Sequence, residues 1–411
     1  MKILFISFHF PPDYKVAVNR TYSMAKYLAR MSHEVHVLTV KKTHVSEERS
    51  YAFYNKCREE GIILHETGFF LPELVREYFQ IDKIGPGRRI LSGVMRTIFS
   101  FLKIEPWIGW NRSALKKAKE IVSENNINLV IASGGPFFSF IIAKKIKREF
   151  SVPYMLDYRD LWTGDPTKIK RPWYVRKLET SILTKASALV VIAPSMKTIL
   201  ESTFSCPPIY CITNGYDLEV LDILKEPDKD NVILYAGQFH LPIGGVEEFI
   251  KVMRELENEK IVFKYIGKNH EYVSEKCKNM LSSESYIIHK PVERAQSIKE
   301  INKAKIVLVV LSNNLFATEA ERGVLSGKLF ELLGLGKHLL IIAPKDSDVH
   351  TLLPGYKGIF SSDQTEEMAD YIRWIFNENP PEPGPNPAFD WRNLIKQYEE
   401  VLNQTVRNYK G

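Results

Sequence analysis

Cysteine is scarce in this chain of 411 residues: Cys57, Cys206, Cys211 and Cys277 are scattered, and no two of them form a C-x-x-C pair. That scatter argues against a zinc site and against a disulfide framework, so the thiols are read as reduced. Long apolar runs are missing too. None approaches the roughly 18 residues of a membrane span, and the apolar start Met1–Ile6 is too short for a secretory signal. The expectation is a cytoplasmic protein, free or lying on the inner face of the membrane. A strong charge of one sign is also lacking. A formal net charge of +7, spread along the chain, suits a phosphate-bearing ligand or an anionic surface and is too diffuse to indicate nucleic acid. The glycine fingerprint G-x-G-x-x-G is absent, so no dinucleotide site of that kind is expected.

What is present is an ordinary globular composition, 45% hydrophobic and 26% charged, with enough apolar residues for large cores in two or three domains. One stretch organises the rest, Gly323–Pro344, GVLSGKLFELLGLGKHLLIIAP. It predicts a glycine turn, a helix, a second glycine turn and a buried strand. Gly327 lets backbone approach a ligand where the helix begins. Lys328 and Glu331 project from that same end and face. A helix N-terminus offers unpaired N–H groups and a partial positive charge, which suit phosphate, and a carboxylate one turn in accepts hydrogen bonds from a ribose diol. An ordinary helix–strand joint with a solvated lysine and glutamate would carry the same letters.

Along the chain, strands are predicted at 2–7, 34–40, 129–132, 154–157, 188–192 and 209–213, with helices at 19–30, at 112–125, up to Phe150 and up to Thr184. This β–α alternation predicts a parallel sheet, whose ligands sit at the carboxyl ends of its strands. His9, Asn19 and Arg20 after the first strand, and Arg159 and Asp160 after Tyr154–Asp157, fall at such ends; capping residues and an internal ion pair would look alike in sequence. Residues 43–111 form the least regular part. Within it Arg89–Lys103 places Ile90, Val94, Ile98 and Phe101 on one side of a helix with basic flanks, a pattern suited to a membrane interface across 69–110 or to a lipid-linked acceptor. It equally suits a helix packed on its own domain, the commoner use of an apolar face. After a polar boundary at Glu226–Asn231, the alternation restarts. Strands are predicted at 232–236, 261–266, 286–289, 306–311, 338–343 and 358–360, with helices at 245–257, 271–281, 295–304, 328–333 and 366–377. Pro380–Pro387 is expected as a stiff linker, and the helix Trp391–Val406 shows a packing face at Leu394, Tyr398 and Leu402.

Taken in this order and spacing, HFPPDY with Asn19 and Arg20, DYRDLW, TNGYD, YAGQF and GKLFELLGLGK resemble the retaining glycosyltransferases of the GT-B fold, family 4, also called glycosyltransferase group 1. The resemblance covers nearly the whole chain. It implies an α/β protein of two Rossmann-like domains facing across a cleft. Residues 1–226, completed by 388–411 through a helix crossing back, would bind the acceptor, and 227–387 the nucleotide-sugar donor. By the resemblance Glu331 holds the donor ribose, Lys328 lies near the diphosphate with Gly327, Gly237 and Gln238 lie under the phosphates, and Pro291 and Val292 flank the base. Arg159 and Asp160 face the cleft, and Asp160 is the choice for a base. Two departures stand out. The family's E-x7-E places its first glutamate at Gly323. The loop Gln238–Gly245 lacks the usual arginine and lysine, for which Arg322, Lys268 and Lys328 are candidates.

The implied activity is retaining transfer of a sugar from a nucleotide sugar to a saccharide or lipid-linked acceptor in bacterial surface-polysaccharide synthesis. Asp228-Lys229-Asp230 and Asp346-Ser347-Asp348 have the D-x-D form of metal-dependent transferases, but the first falls in the boundary and the second in a loop. No metal and no cofactor are expected, with Lys328, backbone N–H groups and the helix dipole stabilising the leaving diphosphate. A nucleotide-sugar epimerase of the same architecture, or an inactive nucleotide-sugar-binding subunit, are the alternatives.

Overall fold

The computed structural model describes residues 1–12, 17–42, 45–68, 108–164, 172–219, 230–239 and 244–410. The predicted helix at 89–103, most of the boundary at 226–231 and the first D-x-D aspartate, Asp228, lie outside the described residues. Among the described residues, no helix is long and apolar enough to cross a membrane.

The chain forms two compact units, Met1–Thr213 with Leu394–Gly411, and Asn214–Asn393. In the first, the strands β1 (Lys2–Ile6), β2 (Glu34–Val40), β3 (Ile62–Thr67), β4 (Leu129–Ser133), β5 (Tyr154–Tyr158), β6 (Ala188–Val191) and β7 (Ile209–Cys211) form one sheet in the order β3-β2-β1-β4-β5-β6-β7. All pairings are parallel. Ile3, Leu4, Phe5 and Ile6 are fully buried, because helices cover both faces and a central parallel strand has no wet side. The order reverses between β1 and β4, which makes that crevice the topological switch point.

The second unit repeats the plan. Strands β8 (Asp230–Ala236), β9 (Val262–Ile266), β10 (Tyr286–His289), β11 (Ala304–Val310), β12 (His338–Ile342) and β13 (Ile359–Phe360) lie in the order β10-β9-β8-β11-β12-β13, again all parallel. Successive side chains alternate between two cores. Ile233, Ile306, Leu308 and Leu340 join Phe249 and Phe263 on one face. Leu234, Val307, Val309 and Leu339 join Leu329, Phe330 and Leu333 on the other. The switch point falls between β8 and β11.

Several expectations need correction. The helix Glu47–Glu59 and the strand β3 occupy part of the stretch read as least regular. In that helix Cys57 is the buried residue, and Tyr51 and Tyr54 are exposed, so its sequence shows no apolar stripe. On β3 Ile62 alone is buried, as suits an edge strand. The helix Pro194–Thr203 was also missed, although Pro at its first turn is a start signal. Pro380–Pro387, expected as a stiff linker, packs along the second unit. Lys337 donates to Glu382, and His338 Nε2 lies 3.2 Å from the Pro380 carbonyl. The Asn386 N–H reaches the Leu333 carbonyl at 3.0 Å. The units divide at 213/214 and 393/394, where the sequence suggested 226/227 and 387/388. Backbone pairing explains the difference: Tyr216 N donates to Phe389 O at 2.9 Å and Trp391 N to Tyr216 O at 3.0 Å, which ties both ends of the second unit to each other.

Candidate functional site

In the second unit the helix Gly327–Leu335 starts beside the carboxyl end of β8. Ser326 caps it, its hydroxyl accepting from Lys328 N at 3.3 Å. Leu329, Phe330, Leu332 and Leu333 anchor its other face in the core. It ends where Gly336 takes φ 66°, a conformation open to glycine and closed to bulkier residues at low cost. These constraints fix where Lys328 and Glu331 emerge.

Lys328 Nζ donates to the Ala236 carbonyl at the tip of β8. Burial holds its pKa below that of an ordinary lysine; nearby Arg294 pushes the same way, and Glu331 opposes both. Gly237 follows immediately, and a Cβ there would stand 3.1 Å from the ammonium. The turn is pinned from β9. Tyr265 OH donates to the Gly237 carbonyl at 3.0 Å, and Phe239 N donates to Asn269 Oδ1 at 3.0 Å. A Cβ at Gly267 would collide with the Gly237 carbonyl oxygen, so the two loops pass too closely for any other residue. Glu331 Oε1 receives Arg294 Nη2 at 3.0 Å.

Of the donor residues named from sequence, the structure thus gathers Gly237, Gly327, Lys328 and Glu331 around one helix tip. Gln238 and Lys268 are exposed in the loops after β8 and β9, and Pro291 and Val292 are exposed after β10, at the same carboxyl edge of the sheet. Arg322 is otherwise engaged, 2.9 Å from Asp346 Oδ2. Asp346 Oδ1 also accepts from Ala317 N at 2.8 Å. The second D-x-D is therefore a brace for the loop after β11. Arg294 and Asn269 were missed; a lone arginine at a helix start carries no spacing signal.

The first unit centres on a buried polar knot at the ends of β4 and β5. Asp157 is fully buried. It accepts from Arg20 Nη2 at 2.7 Å, from Arg20 Nε at 3.0 Å, from Ser133 Oγ at 2.9 Å and from Tyr398 OH at 2.7 Å. Arg20 Nη1 reaches the Thr213 carbonyl at 2.7 Å. Burial alone would raise the Asp157 pKa, but the Arg20 charge and the bonds from Arg20 and Tyr398 hold it below the usual carboxylate range. Arg20, expected to face an acceptor, is only 3% exposed and serves this knot instead. Arg159 is also buried, donating to the carbonyls of Gly134 at 2.8 Å and Gly135 at 2.5 Å. It shapes the β4 turn, where Gly135 has φ 77°. Asp160 is exposed, its carboxylate 3.1 Å from where a Gly135 Cβ would stand. His9 and Asn19 are half-buried; the His9 carbonyl accepts from Ser7 Oγ and Thr21 Oγ1, both at 2.9 Å. Asp157 and Tyr398 were missed as partners, although an aspartate inside an apolar strand was the available signal.

Beyond β5 lies a cavity of about 190 Å³, lined by Leu161, Thr163, Arg176, Glu179, Ile199 and Phe204. Glu179 is 1% exposed. It accepts from Tyr158 OH at 3.0 Å and Thr163 Oγ1 at 2.5 Å. Burial lifts its pKa to about 7, against the pull of the Thr163 and Tyr158 hydrogen bonds. A carboxyl group whose folded pKa exceeds its unfolded one contributes stability below about pH 4, which fades as pH rises toward 7. Glu179→Gln should match the wild type at pH 4 and exceed it by roughly 1–3 kcal/mol at pH 8. Urea unfolding at the two pH values measures this, and equal stabilities at both would refute the assignment.

Two parallel sheets, each in Rossmann order with a ligand-suited edge at its switch point, define the GT-B architecture. Residues 17–220 match the model of Glycosyltransferase Family 4. By that match and by its fold the chain is similar to the GT-B glycosyltransferases of that family. No curated protein sequence matches it. Among solved structures, a glycosyltransferase from Rickettsia africae ESF-5 is similar at 15% identity and TM-score 0.63, covering 99% of both chains. The lipopolysaccharide outer core galactosyltransferase WaaB is similar at 12% identity and TM-score 0.59, covering 98% of this chain and 99% of that one. A putative UDP-N-acetylglucosamine 2-epimerase from Listeria monocytogenes is similar at 11% identity and TM-score 0.54, covering 99% and 97%. At these identities the likeness is one of fold.

Proposed function

We propose that the protein transfers a sugar, with retention, from a nucleotide sugar held by the second unit to a saccharide or lipid-linked acceptor held by the first, in bacterial cell-surface polysaccharide synthesis. One observation carries the proposal: the Lys328 ammonium sits at a helix N-terminus, against the tip of β8, at the switch point of a parallel sheet. A diphosphate placed there meets a full positive charge, a helix dipole and close-packed glycine backbone. When the bond from the anomeric carbon to the diphosphate breaks, negative charge grows on that group, and preorganised donors stabilise it. Glu331 takes the ribose hydroxyls, and Gln238, Lys268, Pro291 and Val292 line the same edge. Engagement of Asp346 by Arg322 and Ala317 supports transfer without a metal held by that motif. Asp160, exposed at the end of β5, is the proposed acceptor-side carboxylate, and His9 and Asn19 lie at the neighbouring strand end. A location at the inner membrane face accords with a lipid-linked acceptor.

The fold shared with the Listeria protein favours one second reading, a nucleotide-sugar epimerase. One experiment separates the two. Nucleotide sugars are screened for a rise in melting temperature, and those that bind are incubated with and without saccharide acceptors and with a chelator. The expected result is nucleoside diphosphate release that requires acceptor and survives chelation. Conversion of donor without acceptor would establish the epimerase, and loss of turnover on chelation would overturn the metal-free mechanism.

A further inference from the structure

The diphosphate of a nucleotide sugar carries about two negative charges at neutral pH and a free nucleoside diphosphate more, while the helix tip supplies one ammonium that already donates to a carbonyl and is desolvated. Arg322 is paired with Asp346. Lys268 is exposed in the loop after β9. Arg294 stands differently. It opens the helix Arg294–Lys303 after the loop that follows β10, and its guanidinium reaches across to Glu331. It is close enough to Lys328 for the two charges to repel. Lys328, Glu331 and Arg294 therefore form one cluster in which both cations share a single carboxylate.

Building on the donor site proposed above, we infer that Arg294 is the second cation of that site, exchanging Glu331 for the diphosphate oxygens as Glu331 turns to the ribose hydroxyls. Three observations carry this. The Arg294 side chain is 48% exposed and that of Glu331 25%, so the ion pair is one that water and salt already weaken. A guanidinium presents two parallel N–H groups to phosphate, a stronger match than its one contact here. A carboxylate beside the guanidinium also keeps that charge from repelling Lys328 further. The exchange leaves every charged group with a partner: the anion arrives, both cations turn to it, and the carboxylate accepts hydrogen bonds from neutral hydroxyls. Arg294 thereby confers selectivity for the diphosphate over the bare nucleoside.

The full-length protein is titrated with uridine, guanosine, adenosine and thymidine diphosphates and with the four nucleosides, using calorimetry for the first set and saturation-transfer NMR for the second. For the base that binds, Arg294→Gln should lose at least about tenfold in diphosphate affinity and lose nothing for the nucleoside, with Arg294→Lys recovering part of the diphosphate loss. The salt dependence of diphosphate binding should flatten in the glutamine variant. Equal losses for nucleoside and diphosphate would show that Arg294 only props Glu331, and no loss for either would remove it from the site; each result overturns the inference. The donor reading is checked separately by Glu331→Gln. A loss of nucleoside binding there, with Arg294→Gln silent, sinks the inference and leaves the site standing. Failure of the wild type to bind any of the four diphosphates sinks both.

Discussion

Replacing Asp157 by alanine should destabilise the first unit by about 3–5 kcal/mol, because it leaves the Arg20 guanidinium buried without its counter-charge. Arg20 is only 3% exposed. A loss of that size lowers Tm by roughly 6–20 °C in a unit of this length, and calorimetry measures it. Tyr398→Phe, which removes one donor and keeps the ring, should cost about 1–2 kcal/mol. Tyr398 belongs to the helix Trp391–Lys410, so in both variants the C-terminal helix should become the first site of proteolysis. The double variant Asp157→Leu with Arg20→Met removes both charges and should recover much of the loss. The pH dependence has a definite sign. The folded pKa of Asp157 lies below its unfolded value, so its stabilisation is complete above about pH 4 and disappears as pH falls through the folded pKa. The gap between wild type and Asp157→Ala should therefore narrow in acid. A constant gap, or an alanine variant as stable as the wild type at pH 7, would show that the knot does not hold the unit together.

The central strands were legible from sequence because burial on both faces demands continuous apolar runs. Ile3–Ile6 and Leu339–Ile342 could be read without any knowledge of their neighbours. Elements with one wet side were harder. The helix Glu47–Glu59 buries Cys57 alone, and a helix that rests lightly on a sheet edge leaves no 3.6-residue stripe to detect. The short helix Glu319–Arg322 has a capping box formed by Thr318 and Glu321, a local signal that carries no long apolar period. Among the candidate residues, Lys328, Glu331 and Gly237 could be placed together because their position depends on local chain geometry, a helix start and a strand end. Arg20 and Arg159 were placed at the correct strand ends with the wrong orientation, since sequence shows that an arginine is near a loop and not that it turns inward to a buried aspartate. Arg294 and Tyr398 depend on contacts across 37 and 241 residues, and no spacing rule reaches that far.

Lys328→Ala should lower kcat/KM for sugar transfer by at least about tenfold, with the larger share in kcat. The ammonium is held against the Ala236 carbonyl, so it is already positioned and needs no reorganisation when charge develops on the leaving diphosphate. Alanine also opens space beside Gly237, which water can fill without restoring the charge. Lys328→Arg keeps the charge but is too large for a pocket where even a Cβ at Gly237 would stand 3.1 Å from the nitrogen, and it should rescue only partly. Alkaline pH offers an independent readout. Burial lowers the pKa of Lys328, so its proton is lost at a lower pH than in a solvated lysine, and a bound diphosphate draws that proton back. Donor affinity should therefore fall as pH rises toward the pKa of Lys328, and calorimetry in buffers of different ionisation enthalpy should record proton uptake on binding. Both effects should vanish in Lys328→Met. An unaltered turnover in Lys328→Ala, with donor affinity still falling at high pH, would assign the titrating cation to another residue and move the diphosphate away from this helix tip.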